Sequence, residues 1–258
     1  MKANSINQRI KVKIIGEKEN EYVTKLKREI ESHGLIGEFV EGVFLKSVSE
    51  DDSFDISKFE QRYRRLPRIG EIGCSLSHQS IYRRHIENIE WSIVLEDDAT
   101  LNNFFGEKVK TLFHNYVSST PTVIILGCSK HLTKNHKQRK LLFPSIAEKL
   151  ISTVSLFKPY KINKYGTVGY MINASGSKLI REIGNPFNLA DDWKLFEEYG
   201  LDVWHLKEYI VHENFENKTS STGNDLIDIH CIENYGLIKF VILVIKNNLI
   251  VSLKKYMQ

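Results

Sequence analysis

The residues of this 258-residue chain best suited to chemistry are Glu96, Asp97 and Asp98, three consecutive acids that end the apolar run Ile93-Val94-Leu95. Carboxylates crowded at the mouth of a buried strand repel one another unless positive charge sits among them, so the economical reading is a divalent cation site. Hard oxygen donors suit Mn²⁺ or Mg²⁺, which typically bridge one or two protein carboxylates to the phosphates of a substrate. A nucleotide diphosphate is the substrate this implies. The competing reading is structural: an acidic turn that caps a helix beginning near Asn102, where the helix dipole favours anions.

Other segments could serve such a ligand. Arg62, Arg64, Arg65 and Arg68 surround Tyr63 and Pro67, and form either a solvated basic loop or a diphosphate or acceptor contact, since guanidinium forks match phosphate oxygens. The block Gly70-Glu71-Ile72-Gly73-Cys74-Ser75-Leu76-Ser77-His78 opens a helix expected to run to about Ile89. Its glycines and small residues let a ligand or a neighbouring backbone approach closely. Residues 129–140 carry seven basic or histidine side chains without an apolar period and read as a basic loop beside the site. His131 and His136 alone do not complete the four ligands of a zinc site. Asn217-Lys218-Thr219 fits the N-glycosylation pattern.

The elements that must position these residues follow from periodicity. Ile10 to Ile15 alternates apolar and basic residues and reads as a strand ending at Gly16; Tyr22, Leu26 and Ile30 mark the following helix, which His33-Gly34 stops. Phe39 to Leu45 reads as the second strand of a β-α-β unit, and Ser49 to Asp55 as an acidic surface loop. Further strands are expected at Trp91–Leu95, Thr122–Leu126, Thr167–Ile172 and Ile210–His212, with Asn173 to Gly176 capping a helix over Ser177–Ile183. A second acidic cluster, Ala190-Asp191-Asp192-Trp193, follows Pro186. Beyond Leu226 the chain turns to Ile, Leu, Val and Lys, a helical tail that either packs on the core or lies in a membrane interface.

Composition bounds the rest. Hydrophobic residues at 41% and charged residues at 26% describe an ordered globular chain. A net charge of +4 could favour an anionic partner such as a nucleotide or lipid headgroup but does not argue nucleic-acid binding. Three scattered cysteines, Cys74, Cys128 and Cys231, fit a reducing, cytoplasmic setting. The N-terminus reads as no signal peptide, and the longest apolar run is too short to span a bilayer.

The Gly70–His78 block, Trp91 with Ile93 to Asp98, and Gly169-Tyr170-Met171-Ile172 with Gly176 together resemble glycosyltransferase family 25, the lipopolysaccharide or lipooligosaccharide glycosyltransferases, over roughly residues 62–215. The resemblance implies an α/β chain of GT-A type: a Rossmann-like nucleotide-binding sheet with flanking helices, here over 1–225. The C-terminal helical tail over 226–258 is not explained by the resemblance; its apolar and basic residues alone suggest peripheral membrane contact. The resemblance implies a UDP-hexose donor, often UDP-galactose, and a lipid-linked saccharide acceptor, which would set the enzyme at the cytoplasmic membrane face. Carried over, the metal would rest on Asp97 and Asp98, with His212 a further candidate. The donor would meet Arg65, Gly70, Glu71, Gly73, Ser77, His78, Glu96 and Gly169. Asp191 or Asp192 would accept the acceptor's proton in an inverting transfer. The turn Gly16-Glu17-Lys18-Glu19 departs from the Asn-Leu and arginine-rich turn common in that family. A metal-dependent phosphoryl hydrolase and a non-catalytic membrane-surface protein are the alternatives the residues leave open.

Overall fold

The computed structural model describes residues 10–46, 53–85, 90–129, 136–160, 166–214 and 232–256. In chain order the elements are β1 (Lys11–Gly16), α1 (Glu21–Ser32), β2 (Ile36–Glu41), α2 (Ile56–Tyr63), α3 (Ile69–Arg84), β3 (Trp91–Glu96), β4 (Ala99–Leu101), α4 (Phe105–Asn115), β5 (Thr122–Ile125) and β6 (Gly127–Cys128). They continue with α5 (His136–Leu142), β7 (Ser145–Ile151), β8 (Val154–Pro159), β9 (Gly169–Asn173), α6 (Ala174–Glu182), α7 (Trp193–Glu198), β10 (Asp202–Leu206), β11 (Val211–Glu213), α8 (Ile232–Tyr235) and α9 (Leu237–Tyr256).

The expected β-α-β opening is present: β1 pairs in parallel with both β2 and β3. Asn20 caps the intervening α1, its side chain accepting from the Tyr22 amide. The main sheet runs β2-β1-β3-β9-β5-β10-β8-β7, and a small sheet runs β4-β11-β6. The main sheet is mixed, because β9 lies antiparallel between β3 and β5. Helices and loops cover both of its faces. Ile93 and Leu95 enter one apolar cluster with Leu26, Phe105 and Met171, while Val94 enters the other with Tyr170, Ile172 and Trp193. Burial on both faces is why β3 reads as an unbroken apolar run rather than an alternating one.

Several boundaries differ from the sequence reading. The second strand is Ile36–Glu41 rather than 39–45; Phe44 is exposed, so the apolar residues beyond Glu41 do not continue the ladder. α3 ends at Arg84 with an extended His85, and residues 86–89 lie outside the described residues. Phe54, expected in a surface loop, is buried with Phe59, Ile72 and Leu76, and Asp55 caps α2. The basic segment contains α5. Its His131, like Asp51, Asp52 and the Asn217 pattern, lies outside the described residues.

The tail packs along one face against α5 and the residues that follow it. Phe240 and Val251 of α9 are buried, Phe240 joins Leu142 and Phe143, and the Asn247 Nδ2 donates to the Leu142 carbonyl at 2.6 Å.

Candidate active site at the carboxyl edge of the sheet

β3 carries Glu96 to the edge where β1 also ends and β9 begins, and the chain turns through Asp97 and Asp98 into β4. β4 pairs with β11, and the Asn214 amide donates to the Asp98 carbonyl at 2.8 Å. The acids therefore lie where the two sheets meet. They do not cap α4, which starts at Phe105; the Asn102 side chain accepts from the Phe104 amide at 2.9 Å. That geometry removes the helix-cap reading of the triplet.

The three carboxylates have different surroundings. Glu96 Oε1 lies 3.0 Å from His78 Nε2 and accepts a short hydrogen bond from Thr167. Asp97 accepts from Asn20 Nδ2 at 2.9 Å and from the Glu17 amide; burial, and then the Glu96 charge, push its carboxyl upward. Asp98 Oδ1 is buried and has no hydrogen-bond partner among the described residues. Burial first, then the charges of Glu96, Glu213 and Asp97, hold the Asp98 carboxyl well above the usual carboxylate range. A buried acid oxygen left unsatisfied among three other acids is unfavourable unless a cation or a proton occupies the site. The donor set of Asp97 and Asp98 is all hard oxygen and fits Mn²⁺ or Mg²⁺. Beside it, a cleft of about 300 Å³ is lined by both aspartates, Thr100 and Asn214, with Tyr22 and Lys25 from α1.

His212 lies on β11 opposite Thr100, and burial lowers its pKa, favouring the neutral imidazole a metal requires. Yet Asp97, Asp98 and His212 do not converge into one compact donor cluster. Among the described residues, the group of three whose ligand atoms all lie within 4.8 Å is Cys74, His78 and Glu96. That group is a hydrogen-bonded brace: His78 Nδ1 meets the Tyr170 hydroxyl at 2.9 Å while Nε2 meets Glu96. Burial first, then the charges of Glu96 and Asp191, push the Cys74 thiol well up.

The remaining donor-side candidates are engaged within the protein. Arg65 grips Glu71 with two 2.7 Å bonds, and Glu71 also accepts from the Arg68 amide at 2.9 Å, closing the first turn of α3. Burial opposes the Glu71 charge, but these bonds hold its pKa below normal. Gly73 lets backbone approach closely: a Cβ would stand 2.4 Å from the Val43 carbonyl. Ser77 Oγ accepts from the Val43 amide at 2.8 Å. Gly169 admits Val211 and Leu95, each within about 3 Å of where a Cβ would be. Gly70 opens α3 as its second residue.

Asp191 and Asp192 part company. Asp192 accepts from Arg62 Nε at 2.8 Å, the Tyr63 hydroxyl at 2.5 Å and the Leu195 amide at 3.1 Å. Burial would raise its pKa, but the Arg62 and Tyr63 bonds bring it below the usual value. Asp191 lies near enough to Cys74 for its charge to act on the thiol, as the charges of Glu96 and Asp98 do.

Sequence reasoning missed Asn20, Thr167, Tyr170 and Glu213 as partners of the acids. Thr167 and Tyr170 sit inside an expected strand, where apolar patterning hides their hydroxyls, and nothing in the local pattern marks Asn20.

The sequence model of glycosyltransferase family 25 (LPS biosynthesis protein) matches residues 17–194, more than half of the sequence and all of the site apart from β11. The chain belongs to glycosyltransferase family 25. Among its relatives, a Haemophilus influenzae protein named as a glycosyltransferase is 29% identical over 146 residues, 55% of this chain and 45% of that protein. Procollagen galactosyltransferase 1-B of Xenopus laevis is 30% identical over 111 residues, 42% of this chain and 16% of the relative. The family 25 chain thus matches less than half the length of either. Among solved structures, a glycosyltransferase involved in glycosylation of the major capsid of PBCV-1 is 13% identical at a TM-score of 0.40, covering 83% of this chain and 95% of that one. A Drosophila β1,4-galactosyltransferase 7 solved with manganese, UDP-Gal and xylobiose is 10% identical at 0.40, covering 81% and 72%.

Proposed function

We propose that this family 25 protein transfers a hexose, with galactose the first choice, from a UDP-sugar to a saccharide acceptor of lipooligosaccharide or lipopolysaccharide at the cytoplasmic membrane face. The observation that carries this reading is Asp98 Oδ1, buried and unpartnered between Glu96, Asp97 and Glu213 at the carboxyl edge of the sheet. Ligands of open α/β sheets lie at that edge. Asp97 and Asp98 would hold Mn²⁺ or Mg²⁺, with His212 a weaker candidate; the ion would supply positive charge to the donor diphosphate. Galactosyltransferases among the relatives support the donor choice.

Asp191 is the proposed base. Its neighbour is held by Arg62, Tyr63 and Leu195, and a carboxylate so held neither moves nor accepts a proton readily. In an inverting transfer, the acceptor hydroxyl gives its proton to Asp191 as its oxygen forms a bond to the anomeric carbon. The bond from that carbon to the diphosphate oxygen breaks on the opposite face, and UDP leaves with the electron pair. His78, Thr167 and Asn20 would fix Glu96 and Asp97 so that the acids do not reorganise as charge moves. Arg65, Glu71, Gly73, Ser77 and Gly169 would shape the donor wall through the packing described above.

A screen of UDP-hexoses with Mn²⁺, read by UDP release, tests the reading. Turnover that disappears with excess chelator and falls at least about 100-fold in Asp98→Asn is expected. Full activity in chelator, or in Asp98→Asn, would overturn the metal role.

A further inference from the structure

α9 buries one face and exposes another, which is mainly apolar and also holds Asn248 and Ser252. Phe240, Asn247 and Val251 are buried, with Leu243 and Val244 partly buried beside Phe143. On the other side Leu237, Val241, Ile245, Leu249 and Leu253 form an exposed ladder at four-residue spacing, flanked by exposed Ile238 and Ile242. At 100° per residue these fall within an arc about 160° wide. Ile238 is 78% and Leu253 61% exposed, so among the described residues this is an unpartnered apolar stripe rather than the edge of the core. Lys239 and Lys246 border it on one side and Lys255 on the other. The helix contains four lysines and no acid. Exposed Lys137, Lys140 and Leu141 of α5 adjoin it, and Asn248 Nδ2 ties α9 to the Leu141 carbonyl at 3.1 Å.

We propose that the outward face of α9 is a docking surface for an anionic lipid bilayer, lying flat at the interface with Leu, Ile and Val side chains in the acyl boundary and lysines at the headgroups. Charge decides the occupant. A second copy packed stripe to stripe would bring lysine borders together with no acid in either helix to pair them. Anionic headgroups supply the missing negative charge, and lysine stems reach outward while their methylenes stay with the apolar residues. No described helix is long and apolar enough to cross a membrane, so the helix would lie on the surface rather than span it. The inference stands apart from the hexosyltransferase reading, because it uses no residue of the acidic site.

The test is co-sedimentation of the full chain with phosphatidylcholine vesicles with and without phosphatidylglycerol. Binding to the anionic vesicles, roughly tenfold weaker without phosphatidylglycerol or at high salt, is expected. The double variant Ile238→Ser/Ile245→Ser keeps every charge; it should lose at least about tenfold in binding while its circular dichroism, Tm and UDP-sugar hydrolysis stay as in wild type. Failure of the wild type to sediment, or undiminished binding by the folded double variant, would overturn the proposal. So would a wild-type dimer in light scattering that the double variant dissolves, since the stripe would then be a self-interface. Because UDP release is measured separately, loss of donor turnover with intact vesicle binding would count against the transferase reading alone.

Discussion

A carboxylate held by three donors, one of them a guanidinium, is a poor proton acceptor, and this counts against Asp192 of two adjacent acids that the sequence left equivalent. Asp192→Asn removes the negative partner of Arg62 and one acceptor of the Tyr63 hydroxyl; breaking such a pair should destabilise the fold by about 2–4 kcal/mol. Asp191→Asn should lower kcat at least about 100-fold while the protein stays folded, in line with the loss of a general base. Thermal melts and UDP release on both variants check the split, and a stable, inactive Asp192→Asn would reverse the assignment. Glu197 offers a second residue-level test. Burial, with Asp202 adding to it against Lys158, raises its pKa from 4.5 to about 7. The folded state therefore binds more protons than the unfolded between those values, so this contribution is full below pH 4.5 and is lost as pH rises through 7. Glu197→Gln should accordingly raise Tm at pH 8, by roughly 2 °C, and leave it unchanged near pH 4. A pH-independent effect would mean the residue acts by packing.

α3 shows why an element can be found in sequence and its purpose misread. Its start was legible from Gly70 to His78, but the helix is buried on several sides, with Glu71, Ser77, His78 and Gln79 inside as well as Ile72 and Leu76, so no single apolar face gave its orientation. Gly73 of this helix faces the Val43 carbonyl. Gly73→Ala should force α3 away from that segment and destabilise by about 1–3 kcal/mol, a fall in Tm of roughly 2–12 °C at this chain length. Because His78 rides on the same helix, the variant should also weaken the bond to Glu96. An unchanged Tm would show that the Val43 segment yields freely. α5 escaped detection for a different reason: it is a short, basic helix whose support comes from α9, more than a hundred residues away in sequence, and no local period records that contact. β7 was missed because it is a half-exposed edge strand, without the apolar run that betrayed β3.

At the scale of the molecule, the β-α-β opening and the acids at the carboxyl edge were readable because both depend on local patterns: a strand with two buried faces, a cap, a turn. The antiparallel insertion of β9 was not, since apolar residues in a strand carry no arrow. That reversal nevertheless matters to the site. It brings Thr167 and Gly169, at the beginning of a strand, beside Glu96 at the end of another, so that one edge gathers groups from β1, β3, β9 and β11. An edge that collects Glu96, Asp97, Asp98 and Glu213 raises the Asp97 and Asp98 carboxyls by burial and then by the charges of neighbouring acids, and a cation that binds there should stabilise the whole fold by mass action. Mn²⁺ and UDP together should raise Tm by more than the sum of either alone, because the diphosphate and the acids would share one ion; saturation at about 100 times Kd corresponds to about 2.7 kcal/mol, or roughly 5–10 °C here. Asp98→Asn should abolish the synergy while matching or exceeding the wild-type Tm in chelator, since the substitution replaces a carboxyl whose ionised form its burial and acidic neighbours disfavour. Differential scanning calorimetry over the four ligand conditions decides it: additive shifts in the wild type, or a strongly destabilised Asp98→Asn, would mean that the acidic edge is held together by contacts within the protein and that the diphosphate binds elsewhere.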